Sequence, residues 1–138
     1  MPIRFAQTDA DIQSAFPVVV QLRPHLIETE FVERVRNLEQ VGPKLLFLEE
    51  SKVRAVAGFC IRESVAWGKH LYLADLVTDE PDRSGGYGQQ LFNWLVNFAK
   101  ENGCKQFYLD LDVQRFGAHR FYLKNRMIIA AHHFSFDL

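Results

Sequence analysis

Asp75-Leu76-Val77-Thr78-Asp79-Glu80-Pro81-Asp82-Arg83-Ser84-Gly85-Gly86-Tyr87-Gly88-Gln89-Gln90-Leu91 decides how the rest of the chain is read. The stretch begins as a strand, passes through an acidic turn closed by Pro81, and reaches a cluster of small residues ahead of an amphipathic helix. Gly85, Gly86 and Gly88 carry no Cβ, so the backbone can turn sharply there and bring its N–H groups close to a ligand. A helix start behind such a loop offers unpaired N–H donors and the positive end of a dipole, which suits a phosphate. Arg83 adds a cation able to grip phosphate oxygens in pairs. A Walker-type loop would end in Gly-Lys-Ser/Thr, whereas Gln89 and Gln90 follow Gly88; a dinucleotide fingerprint would place a third glycine where Leu91 stands. Neither fits.

Working outward, the central strand is read over Lys69–Thr78, nearly continuous in apolar character, as for a strand covered on both faces. Before it lie a first strand, Pro2–Ala6, and a helix capped by Thr8 or Asp9 that ends before Pro24. A second helix, Glu28–Glu39, is stopped by Gly42-Pro43. Strands Leu45–Glu49 and Val53–Glu63 flank a turn at Glu50-Ser51-Lys52, and Gly58 signals a bulge or a close backbone approach. After the glycine loop a helix buries Leu91, Phe92, Leu95, Phe98 and Ala99, with Asn102-Gly103 as its cap. A strand over Cys104–Leu111, a short helix over Gly117–Lys124 and one long or two short strands over Met127–Phe136 complete the chain. The order β-α-α-β-β-β-α-β-α-β predicts an α/β (α+β) fold, a mixed, mainly antiparallel sheet of six to seven strands with helices on both faces.

Arg83-x-x-Gly86-x-Gly88 between an apolar strand and a helix resembles the acyl-CoA pyrophosphate loop of the GCN5-related N-acetyltransferase (GNAT) superfamily. Ala118-His119-Arg120-Phe121-Tyr122-Leu123-Lys124-Asn125-Arg126-Met127 is similar to that family's second motif, a small residue ahead of Phe-Tyr-x-Lys. The element order resembles the same fold over nearly the whole chain, residues 1–138 forming one domain. The resemblance implies an N-acetyltransferase that uses acetyl-CoA as acyl donor, with no metal. It implies that amides from Ser84, Gly85, Gly86, Tyr87, Gly88 and Gln89, beside Arg83, hold the pyrophosphate. Leu76, Val77 and Thr78 would pair with the amides of the pantetheine arm, which requires the strand to splay from Cys104–Leu111. Tyr122 matches the family's tyrosine acid; the alternative is a ring packed in the core with its hydroxyl bonded. Asp75 is the only acid inside the central strand and lies immediately before the residues expected to hold the arm; the family's glutamate position, one residue earlier, is Ala74 here. Asp75 can be a base or a structural acid bonded to nearby backbone.

Composition narrows the alternatives. Of 138 residues 48% are hydrophobic and 12 are Phe, enough for a well-filled core. A net charge of −1 supplies no basic field for nucleic acid, and no apolar run reaches membrane-spanning length. Cys60 and Cys104 lack CxxC spacing, as in a reduced, cytoplasmic protein, and the start of the chain shows no secretory apolar core. His132-His133 point to opposite sides of a strand and His25, His70 and His119 are scattered, so a metal site is not expected. Trp67, Tyr72, Phe134 and Phe136 suit a homodimer through paired edge strands. Alternatives are a non-catalytic acyl-CoA-binding domain and a nucleotide-phosphate binder. The acceptor amine, small molecule or protein, carries no readable pattern.

Overall fold

Local chemistry sets most element boundaries in the computed structural model, which describes residues 2–138. Thr8 opens helix α1 (Asp9–Leu22): its Oγ1 accepts from the Asp11 amide at 3.0 Å, and the Asp11 carboxylate accepts from the Thr8 amide at 3.2 Å. That reciprocal cap satisfies donors a helix start leaves free. Arg4, on strand β1 (Ile3–Phe5), bonds the same carboxylate at 2.9 Å and holds it well below the usual carboxylate range. Pro17 lies inside α1, where it removes one donor. Helix α2 (Glu28–Glu39) carries Phe31 and Val35 one turn apart on its buried side, and the Phe31 ring meets Phe16 of α1 edge-on at 5.3 Å.

The chain groups into two compact units, one reaching to Tyr108 and the other covering Leu109–Leu138. The first holds a five-stranded sheet in the order β1, β2 (Lys44–Glu50), β3 (Lys52–Ser64), β4 (Gly68–Thr78), β5 (Gln106–Tyr108). The first four strands run antiparallel, and β5 lies parallel to β4. A parallel neighbour needs a crossover, here helix α3 (Tyr87–Glu101). On one face, Ile12, Ala15 and Val19 of α1 pack with Phe47, Val56 and Val77. On the other, Trp94 and Phe98 of α3 meet Phe5 edge-on at 5.6 and 5.9 Å, and Phe92 meets Phe107 at 5.4 Å. Leu91 and Leu95 of α3 are fully buried, each worth roughly 1.5–3 kcal/mol against exposure. Helices on both faces of a mixed sheet are therefore as the sequence implied.

Three expectations require correction. The strand expected over Cys104–Leu111 is only Gln106–Tyr108. The second unit contains helix α4 (Phe116–Lys124) and, among the described residues, no strand, so Met127–Phe136 adds nothing to the sheet and five strands replace six or seven. A period-two pattern marks a segment able to pair, but a ladder also needs a partner edge, and the second unit contains none. Tyr72 is also not on an edge strand: it is paired with Cys60 on one side and Tyr108 on the other.

Candidate active site

Strand β4 leads into a single 3₁₀ turn, Glu80–Asp82, and then the glycine loop. Gly85 donates to the Asp82 carbonyl at 3.1 Å and tightens the turn. Gly86 caps α3 at φ +88°, ψ 2°, a conformation that costs an L-residue about 1–2 kcal/mol. A Cβ on Gly88 would sit 3.1 Å from Thr78 Oγ1, so the first turn of α3 lies directly against the end of β4. The bonding pattern of α3 includes Gln90 donating to the Gly86 carbonyl at 3.1 Å; the amides of Gly86, Tyr87 and Gly88 stand ahead of that pattern, at the positive end of the helix.

Two of the three acids here, Asp79 and Asp82, are neutralised from outside the turn. Lys52 pairs with Asp79 at 3.1 Å and Arg54 with Asp82 at 3.2 Å. Gln21 of α1 latches the turn: its Nε2 donates to Asp79 Oδ1 at 2.7 Å while its Oε1 accepts from the Glu80 amide at 2.9 Å. The Gln21 bond, then Lys52, lowers the Asp79 pKa. Tyr87 donates to Glu50 at 3.2 Å, which pushes its phenol up. Arg83 is exposed and enters no ion pair among the described residues. Among the described residues the loop thus presents amides ahead of the helix and a cation, with Asp79 and Asp82 already paired and the Glu80 side chain exposed, a setting for an anion.

Along β4, pairing with β5 covers only His70, Leu71 and Tyr72. Leu76, Val77 and Thr78 are in register with Ala57, Val56 and Ala55 of β3 and lie beyond that short ladder. Val77 is buried; Leu76 and Thr78 are half-buried. The register passes from Gly58↔Asp75 to Phe59↔Leu73, so Ala74 is the extra residue of a bulge. Opposite it, a Cβ on Gly58 would lie 3.5 Å from an Asp75 carboxylate oxygen. Gly58 marks a bulge and a close approach together.

Asp75 is bound by Arg23, the residue that ends α1. Arg23 Nη2 and Nε lie 2.6 and 2.8 Å from Asp75 Oδ1, and Nη2 also donates to the Ala74 carbonyl at 3.3 Å. The guanidinium pins the carboxylate and the bulge as one unit. Arg23 was not singled out from sequence, because no spacing rule links residues so far apart in the chain. The pair separates the two roles open to Asp75. If Asp75 only holds the bulge, Asp75→Asn and Arg23→Met should lower Tm and turnover to similar extents. A proton-accepting role instead predicts that Asp75→Asn alone lowers kcat by roughly 10²-fold or more.

In the second unit, Tyr122 lies on α4, half-buried, its ring edge-on to Phe121 at 5.2 Å. Asn125 Nδ2 donates to the Phe121 carbonyl at 2.9 Å and the Met127 amide to the Tyr122 carbonyl at 3.1 Å, closing the helix. His133 Nδ1 stands 3.4 Å from Asp110. Among the described residues no three His, Cys, Asp or Glu side chains gather as metal ligands, and no helix is long and apolar enough to cross a membrane.

The profile of the acetyltransferase (GNAT) family matches residues 10–126. The chain belongs to that family. It is 36% identical over 110 residues to the uncharacterized N-acetyltransferase YhdJ of Bacillus subtilis (strain 168), a span covering 78% of each chain. A putative acetyltransferase from Agrobacterium tumefaciens str. C58 superposes with TM-score 0.85 at 21% identity over 100% of both chains. Glucosamine-6-phosphate N-acetyltransferase from Arabidopsis thaliana superposes with TM-score 0.78 at 23% identity, covering 98% of this chain and 96% of that one. Both structural matches speak to the GNAT fold. Family and relative together class this GNAT member with the N-acetyltransferases.

Proposed function

We propose that the protein, as one acetyltransferase domain, moves an acetyl group directly from acetyl-CoA to a primary amine. The observation that carries this reading is the coincidence of amides ahead of α3, an Arg83 with no ion pair among the described residues, and a β4 end lying beyond the β5 ladder. Amides of Ser84, Gly86, Tyr87 and Gly88, with Arg83, take the pyrophosphate while Gly85, its amide given to Asp82, shapes the turn, and the backbone of Leu76, Val77 and Thr78 pairs with the pantetheine arm. The arm directs its thioester toward the bulge at Ala74. The amine nitrogen attacks the thioester carbon, the C–S bond breaks, and an amide and CoA result.

Two protons must move. A primary ammonium of pKa ~10.4 costs about 4–5 kcal/mol to present as the free amine at pH 7, and Asp75, directly or through water, accepts that proton. Tyr122 donates its phenolic proton to the departing thiolate. No metal takes part in this scheme. We further propose a cytoplasmic protein, partnered by neither nucleic acid nor membrane, that pairs as a homodimer through its exposed Phe134 and Phe136; light scattering returning a monomer mass would remove the dimer.

Calorimetry with acetyl-CoA, CoA and ATP, followed by thiol release against a panel of amines, tests the reading. Binding of acetyl-CoA and CoA well above ATP, with amine-dependent thiol release, is the expected result. Equal binding of ATP would make the loop a general nucleotide-phosphate site. Tight acetyl-CoA binding without thiol release for any amine would make the domain a sensor.

A further inference from the structure

On the α1/α2 face of the sheet, past the bulge, five side chains of the first unit converge. Strand alternation and register put Arg62 of β3 and His70 and Tyr72 of β4 on the same face as Asp75 and Val77, with Tyr108 of β5 in line with Tyr72. The Arg62 guanidinium lies 4.3 Å over the Tyr72 ring and 5.8 Å from that of Tyr108, and its Nη2 donates to the Tyr108 hydroxyl at 2.6 Å. Trp67 closes the group, 4.8 Å from Tyr108 and 6.1 Å from His70.

Two features of this cluster are unspent. Arg4, Arg23, Arg36 and Arg54 each hold a carboxylate within 3.2 Å, whereas among the described residues Arg62, like Arg83, holds none. Two aromatic rings and a phenol fix its plane, yet most of its five N–H donors face no acid. His70 is 2% exposed, bonds the Gly68 carbonyl through Nδ1 at 2.9 Å, and leaves its buried Nε2 with no partner among the described residues. Arg62 is exposed, its plane set by the rings and its remaining donors open to an incoming group, which suits an anion; His70 Nε2, with Nδ1–H given to Gly68, is an acceptor and takes no part in holding one.

We infer that this cluster is an anion anchor for the acceptor: the amine that is acetylated carries a carboxylate or phosphate, held in a bidentate grip by Arg62. The inference rests on the acetyl-transfer reading, with the thioester ending near Ala74 and Asp75. Arg62 lies four β3 residues from Gly58, the register partner of Asp75. Four residues of strand span roughly 13 Å, and much of that is bridged by the arginine side chain itself. A short amine with an anionic group a few bonds away fits this spacing. Stacked, bidentate recognition also explains why arginine rather than lysine stands here.

Matched acceptors test it: β-alanine against n-propylamine, and O-phosphoethanolamine against ethanolamine. The wild-type protein should favour at least one anionic amine over its neutral partner by roughly 10–100-fold in kcat/KM, mainly through KM. Arg62→Gln should bring that ratio near one while leaving the calorimetric affinity for acetyl-CoA, and hence the fold, intact. Which anion wins tells carboxylate from phosphate. Equal use of charged and neutral amines by the wild type, or a preference that survives Arg62→Gln, overturns the anchor. If no amine is acetylated, acetyl transfer itself has failed, and calorimetry with O-phosphoethanolamine and β-alanine still judges the anchor. Binding lost in Arg62→Gln supports it, and no binding to the wild type refutes it.

Discussion

Replacing Tyr122 by phenylalanine is expected to lower kcat by roughly 10²–10⁴ while acetyl-CoA affinity changes little. The physical contrast is confined to one oxygen. The ring keeps its edge-on contact with Phe121 at 5.2 Å, and the closing bonds of α4 run through main-chain carbonyls and Asn125 rather than the hydroxyl. What disappears is a phenolic proton donor at the moment the C–S bond breaks; phenols as a class, ordinarily of pKa ~10, are matched to a thiolate of comparable basicity. Without it the thiolate must leave unprotonated or take a proton from water. The variant should also lose any alkaline fall in rate that reports ionisation of the phenol. Turnover unchanged within a factor of two, at unchanged Tm, would reduce Tyr122 to a packing residue.

The parts of the molecule readable from the chain were those governed by short-range rules. Phe31 and Val35 at helical spacing, ahead of the Gly42-Pro43 stop, fix α2 at Glu28–Glu39, the span expected. The β4–loop–α3 unit was legible because apolar strand, turn residues and glycines succeed one another within a single stretch, and Gly58 signalled its bulge because a strand rarely tolerates a missing side chain without cause. Ion pairs across the fold were not legible. Arg23 with Asp75, Lys52 with Asp79 and Arg54 with Asp82 join separate elements, and nothing in composition or periodicity selects one arginine over another. The same limit hid the ring cluster around Arg62, which only the register of three strands assembles. Met127–Phe136 failed differently. Alternation reports which faces a strand would have, whereas the partner edge is a tertiary matter.

The glycine loop supports the other large effect. Arg83→Gln should weaken CoA binding by roughly 10–100-fold, since each hydrogen bond to a charged group contributes about 1.5–3 kcal/mol. Dephospho-CoA, which keeps the pyrophosphate, should lose as much, and pantetheine, which lacks it, should lose nothing. Gly86→Val should act through geometry rather than charge. No atom lies within 4 Å of the added Cβ, so space is not the obstacle; φ of +88° is, and a β-branched residue there is a severe outlier. The backbone must then rotate the amides of Gly86, Tyr87 and Gly88 away from convergence. Gly86→Asn, whose side chain tolerates the left-handed region, should restore most of the affinity, a rescue that a steric effect could not produce. Calorimetry across the three ligands and three variants distinguishes these outcomes. If Arg83→Gln weakened pantetheine as much as CoA, the arginine would be serving the arm or the fold, and the anion would have to be held elsewhere.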